Sequence, residues 1–133
     1  MINIKAIITD LDRTLLHTDK SLSEYTIKVI KRCKEQGIKV MAATARPERT
    51  VTDYDAAIGF AAVTVMNGAK VMVGDRVMTY GIPDALAEEM LAKVCGRKEF
   101  LFSVETGEIL YAAEHIPEFE YTLHTEFPSL TVG

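Results

Sequence analysis

Ala6-Ile7-Ile8-Thr9-Asp10-Leu11-Asp12-Arg13-Thr14 is the stretch that decides how this chain is read. Residues 4–9 form a nearly continuous apolar run, as expected of a strand covered on both faces in a parallel sheet. From Asp10 to Lys20 the sequence turns polar and irregular. Ligands of open α/β sheets bind beyond the carboxyl ends of the strands, and Asp10 and Asp12 fall at that end. Alternate residues leaving a strand can point to the same side. Two carboxylates placed this way can divide labour, one attacking while the other moves a proton. The plain alternative for Asp-x-Asp is a solvated turn. Two further residues favour a functional loop. Thr14, with the loop N–H groups around Arg13 and Leu15, suits an amide nest for anion oxygens. Thr44 ends the next apolar run at the corresponding place, which puts a hydroxyl toward the same anion.

Outward from this loop, Ser23 offers an N-cap for a helix to about Gln36, and Gly37 supplies its stop. Residues 38–43 are a second apolar run, so the order so far is strand, loop, helix, strand, a right-handed βαβ unit. Pro47 suits the first turn of a helix ending near Ile58, before Gly59, and a third strand is expected over residues 62–66. There the texture changes. Asn67-Gly68 and Gly74-Asp75 are turn signals flanking short antiparallel strands at residues 70–73 and 76–80. Pro83-Asp84 opens a helix to about Cys95, with Leu86, Met90 or Glu89, Leu91 and Val94 expected on its inner side. A hairpin is expected over residues 100–112 around Thr106-Gly107, and residues 116–133 carry no assignment. The expected architecture is therefore α/β: a partial Rossmann-like parallel core over residues 1–66, then a smaller α+β portion over residues 67–133.

The 133 residues suffice for one packed core, and a 48% apolar, 26% charged composition is that of a globular chain. A net charge of −4 gives no electrostatic footprint for nucleic acid or an acidic membrane. No apolar run approaches the roughly 18–20 residues needed to span a bilayer, and no secretory signal is visible at the N-terminus. Cys33 and Cys95 lie far apart with no CxxC, so two reduced, buried thiols in a cytoplasmic setting are expected. His17, His115 and His124 are too scattered to suggest zinc.

Three ordered stretches carry a family resemblance. Asp10-Leu11-Asp12-Arg13-Thr14 after an apolar strand resembles the first motif of the haloacid dehalogenase superfamily, DxDxT. Met41-Ala42-Ala43-Thr44-Ala45-Arg46-Pro47 resembles the second motif of its Cof-type branch, a strand ending in T-G-R. Met66-Asn67-Gly68-Ala69-Lys70 resembles the turn at which Cof-type chains leave the core for the cap. The resemblance implies Mg²⁺-dependent hydrolysis of small phosphorylated metabolites. Asp10 would be the nucleophile that becomes a phosphoaspartate, and Asp12 the acid and base. Thr14, Thr44, Arg46 and Asn67 would surround the phosphate, with Arg46 either meeting it or bracing the cap. The metal would take the Asp10 carboxylate and the Asp12 backbone carbonyl.

The sequence also departs from that pattern. Arg13 and Ala45 replace glycines, which often serve positive φ. The lysine and GDxxxD acids that such chains carry after the cap have no match here. Gly74-Asp75 reads as a hairpin turn, and Lys70 belongs to the same hairpin. The expectation is a chain truncated in its cap, with the β-edge around residues 6–8 exposed and homo-oligomerisation through that edge. Alternative readings are a weakly active or inactive fragment that binds or self-associates, or a regulatory interaction domain.

Overall fold

The computed structural model describes residues 4–95, 97, 99, 102–107 and 110–112. Expectations for His115, His124, Phe100 and residues 116–133 lie outside the described residues. The chain divides into two compact units, Met1–Tyr80 and Gly81–Gly133.

The first unit is a five-stranded sheet in sequential order. Strands β1 (Ala6–Thr9), β2 (Lys39–Ala43) and β3 (Ala62–Val65) run parallel, with Thr9 opposite Ala42 and Ala43 opposite Thr64. Strands β4 (Lys70–Val73) and β5 (Arg76–Thr79) continue the same sheet antiparallel to β3, joined by the turn at Gly74-Asp75. Each crossover holds a helix: α1 (Glu24–Glu35) between β1 and β2, and α2 (Thr52–Ile58) between β2 and β3.

Local chemistry sets these boundaries. The Ser23 hydroxyl accepts the Thr26 N–H and starts α1. Gly59, at φ +65°, ends α2 in the left-handed conformation that glycine adopts without steric cost. Lys34 reaches across from α1 and donates to the carbonyls of Ile58 and Gly59, both at 2.8 Å, covering orphan acceptors at that helix end. Period-two alternation in β2 and β3 buries Val40, Ala42, Val63 and Val65. Leu11, Leu16 and Val51 join Ala42, Val63 and Val65 in one cluster, while Ile30 of α1 meets Val40 and Ile58 in another.

β1 corrects one expectation. Its run is not covered on both faces: Ile4, Ile7 and Ile8 are 55%, 37% and 67% exposed. The reason is topological. β1 pairs only with β2 and is an edge of the sheet, so among the described residues its outer side has no strand partner. The expected exposure of an apolar edge around residues 6–8 is what is seen.

The second unit holds α3 (Asp84–Val94) and a hairpin of β6 (Ser103–Glu105) and β7 (Leu110–Ala112), with Val104 opposite Tyr111. The inner stripe of α3 also differs from expectation. Leu91 and Val94 are partly covered together with Ala87, whereas Leu86 and Met90 stay exposed, so the covered stripe runs at i, i+4, i+7 from Ala87. Cys33 and Cys95 are free thiols, but half-buried rather than buried. No helix of the described residues is long and apolar enough to cross a membrane.

Candidate active site

Leu11 is fully buried and anchors the loop that follows β1. Its neighbours Asp10 and Asp12 therefore leave the core on either side of it. The loop Leu11–Leu15 closes by a 2.8 Å bond from the Leu16 N–H to the Leu11 carbonyl. Within it Arg13 stands at φ +57°, so this position does demand the left-handed region, and an arginine occupies it at a cost of about 1 kcal/mol. Ala45 is not among the positive-φ residues, and its replacement of glycine carries no such strain.

At the carboxyl ends of β1, β2 and β3 lies an open cleft of about 440 Å³, lined by Asp10, Ala43, Thr44, Ala45, Thr64, Asn67 and Gly68. Thr14 donates to an Asp10 carboxylate oxygen at 3.3 Å. Thr44 is the one buried polar side chain among the described residues. Its N–H donates to the Thr64 carbonyl at 2.9 Å, its hydroxyl oxygen accepts the Arg46 N–H at 3.2 Å, and its carbonyl accepts the Asn67 N–H at 3.3 Å. A threonine tied at three points presents its hydroxyl from a fixed place. Met66, Asn67 and Gly68 follow one another at φ +50°, +54° and +100°. Such consecutive left-handed residues hold strain of the kind found at ligand sites.

Arg46, read from the sequence as a phosphate contact or a cap brace, is paired with Asp12 in this structure. Its guanidinium grips both oxygens of the Asp12 carboxylate, Nε to Oδ2 and Nη2 to Oδ1, each at 2.7 Å. The guanidinium lies 5.5 Å from the centre of the Tyr54 ring. The Tyr54 hydroxyl in turn donates to the Lys20 carbonyl at 2.9 Å. The fork of hydrogen bonds from Arg46 holds the Asp12 carboxyl below its ordinary value of 3.8; partial burial opposes this, and the charges of Arg46, Lys20 and Arg13 assist it. Arg46 is raised by the same bond. A carboxylate depressed in the folded state adds stability above its unfolded value, near pH 4, and that stability is lost as pH falls through the lower folded value. Asp12 is half exposed, so the contribution stays within about 0.2–1 kcal/mol. Urea midpoints of the wild type should exceed those of Asp12→Asn at neutral pH and converge below about pH 4. A gap that widens on acidification would contradict the pair.

Thus Asp10, Thr44 and Asn67 share the cleft, Thr14 bonds Asp10, and Asp12 and Arg46 form a pair beside them. Lys70 is ion-paired with Glu48, in keeping with its place in the hairpin. Sequence reading missed Thr64, the last but one residue of β3, which stands opposite Ala43 and lines the cleft. No group of three or more His, Cys, Asp or Glu side chains gathers among the described residues. Asp12 being engaged by Arg46, the carboxylate left for a cation is Asp10. That donor set suits a hard ion that keeps most of its waters, and not one that needs an all-protein cage.

The model of the haloacid dehalogenase-like hydrolases matches residues 7–131. The chain belongs to that family. Among curated proteins, 5-amino-6-(5-phospho-D-ribitylamino)uracil phosphatase YitU of Bacillus subtilis is 46% identical over 48 residues, 36% of this chain and 18% of that protein. The fold is shared with BT1666, a phosphatase of the superfamily from Bacteroides thetaiotaomicron, at TM-score 0.77 and 22% identity over 96% of this chain and 49% of that one. It is shared also with the subclass IIB sugar phosphatase BT4131, at TM-score 0.75 and 20% identity over 95% and 52%. The chain spans about half the length of these haloacid dehalogenase-like structures.

Proposed function

We propose that this chain serves as a Mg²⁺-dependent phosphatase of the Cof type, acting in the cytoplasm on small phosphorylated metabolites through a phosphoaspartate on Asp10. Residues 1–66 belong to the core part in this reading; of residues 67–133, expected from the sequence as the cap part, β4 and β5 continue the core sheet, and the cap part is taken from residue 81 onward. The observation that carries it is the cleft itself: the Asp10 carboxylate and the buried Thr44 line one opening at the carboxyl ends of parallel strands. A ribitylaminouracil phosphatase and a sugar phosphatase among the similar proteins support a phosphorylated small molecule as the substrate class.

A phosphate monoester enters with its phosphoryl group against Asp10 and the Thr44 hydroxyl. An Asp10 oxygen attacks phosphorus, the bond to the ester oxygen breaks, and that oxygen takes a proton from Asp12. Asp12 then accepts a proton from the water that attacks the phosphoaspartate, releasing phosphate and restoring Asp10. The Arg46 fork keeps Asp12 as the carboxylate, the form the second half needs, so the first half requires that fork to open. Bound Mg²⁺ would supply positive charge against the repulsion between Asp10 and the phosphate dianion, held by the Asp10 carboxylate and the Asp12 carbonyl.

Hydrolysis of p-nitrophenyl phosphate tests this reading. Activity should depend on added Mg²⁺ and vanish with EDTA, returning when the ion is restored. Rates that ignore both additions would overturn it. One observation favours a second reading, a binding or self-associating domain: the apolar edge strand with Ile4, Ile7 and Ile8 exposed. Concentration-dependent elution in size-exclusion chromatography would support that reading, and a monomer at every concentration would count against it.

A further inference from the structure

Tyr54 belongs to none of the three motif stretches, yet it touches both Arg46 and the segment that carries Asp12. It lies in the first turn of α2, three residues after buried Val51 and four before buried Ile58. That spacing puts all three on one helix face, and the Tyr54 ring packs against the cluster containing Leu11, Leu16 and Val51. A ring rooted in the core has little freedom, and a hydrogen bond fixes its outer end. The hydroxyl donates to the Lys20 carbonyl at 2.9 Å, beyond the loop that begins at Asp10. Residues 17–21 close on themselves there. The Lys20 N–H donates to the His17 carbonyl at 2.9 Å, and the His17 N–H to the Ser21 carbonyl at 3.0 Å. The segment between β1 and α1 is thus fixed twice, by Leu11 in the core and by Tyr54 near its end.

The same ring stands beside Arg46, 5.5 Å from guanidinium carbon to ring centre, within the range of a cation–π contact. The Arg46 side chain is 12% exposed, against 46% for Asp12. Its Nη1 reaches the Thr50 carbonyl at 3.5 Å, just before α2. Its backbone is held as well, the N–H by the Thr44 hydroxyl and the carbonyl by the Met66 N–H. An arginine carries many rotamers, and a wandering partner would let a half-exposed aspartate wander with it. Here the Tyr54 ring and the Thr50 carbonyl confine the guanidinium, and its fork passes that constraint on to Asp12. Misplacing a proton-transfer group by about 1 Å can cost on the order of a hundredfold in rate.

We propose that Tyr54 is a positioning residue for proton transfer by Asp12, its ring seating Arg46 and its hydroxyl holding that ring in place. The inference rests on the phosphatase reading above, in which Asp12 protonates the departing oxygen. Phenyl phosphate and p-nitrophenyl phosphate, given to the full chain with Mg²⁺, are matched probes. Phenolate is a poor leaving group that needs the proton, whereas p-nitrophenolate departs largely without it. A general loss of folding or binding lowers kcat/KM for both esters alike and cancels in their ratio. Tyr54→Leu should lower kcat/KM for phenyl phosphate about tenfold further than for p-nitrophenyl phosphate, within what general acid catalysis contributes. Tyr54→Phe keeps the ring and should recover most of that difference. In an Arg46→Lys background Tyr54→Leu should add little to it, because the seat has lost its occupant. If urea melts show Tyr54→Leu unfolded, Tyr54→Met carries the same comparison. Equal losses on the two esters, a Phe variant no better than Leu, or additive effects in the Arg46→Lys background would overturn the positioning role while leaving the phosphatase reading standing. No Mg²⁺-dependent turnover of either ester by the wild type would remove both.

Discussion

Asp10→Asn should lower Mg²⁺-dependent phosphate-ester hydrolysis by at least about a thousandfold, the scale of removing a covalent nucleophile. The carboxamide is a poor nucleophile, and it withdraws the one carboxylate left for the metal. The substitution is otherwise mild. Asp10 lines an open cleft, and its 3.3 Å bond from Thr14 can still be accepted by an amide oxygen. Stability should therefore stay within about 0.5 kcal/mol of the wild type, as for most surface changes. Urea melts run beside the kinetics separate loss of chemistry from loss of fold. Residual activity within tenfold of wild type in a folded Asp10→Asn protein would mean that another group performs the attack.

Leu11→Ala should have the largest effect on stability, about 3–5 kcal/mol. Leu11 is fully buried against Leu16, Ala42, Val51, Val63 and Val65, side chains from two strands, the segment before α1 and the loop between β2 and α2. Removing its methyl groups leaves a cavity that the strands cannot collapse to fill. A domain of ordinary stability, about 5–15 kcal/mol, would lose a large share of it. Ile8→Ala is the comparison, because Ile8 is 67% exposed and leaves no cavity. It should cost less than about 1 kcal/mol. Equal shifts in urea midpoint for the two variants would refute the assignment of Leu11 as the anchor of the loop. The consequence reaches function as well. A loop without its anchor no longer fixes where Asp10 and Asp12 stand, so kcat should fall even under conditions where Leu11→Ala is folded.

The parallel order β1-β2-β3 and both crossover helices were legible because each rests on local signals: apolar runs of strand length, Ser23 as a cap, and Gly37 and Gly59 as stops. Asp10 and Thr44 were legible for the same reason, since each ends a strand on the carboxyl side. What local signals do not carry is pairing across the sheet. The run at residues 6–8 reads as doubly covered by its composition, yet burial depends on whether a neighbouring strand lies beside it. Likewise nothing in the Arg46 motif names Asp12, 34 residues away, as the partner its guanidinium holds in the fold. Thr64 was overlooked because its strand carries no motif, although its register opposite Ala43 places it in the cleft. In α3 the covered stripe is shifted by one position, because Ala87 as well as Leu86 fits a helical period, and hydrophobicity alone favours the larger residue.

Arg13 shows the limit from the other side. The sequence poses a question there, whether an arginine stands where glycine is usual, and the backbone answers it with φ +57°. The strain is accepted in a loop whose inner residue, Leu11, is locked in the core. That arrangement gives the strained position a firm base.

The central claim is that Asp10, at the end of β1, is the group that carries the phosphoryl intermediate. Acid quenching during turnover of p-nitrophenyl phosphate, followed by peptide mass analysis, tests it most directly. The account predicts the added mass of one phosphoryl group on the peptide containing Asp10, removed by hydroxylamine and absent from Asp10→Asn. Turnover with that peptide unmodified, or with the phosphoryl group on another residue, would contradict it.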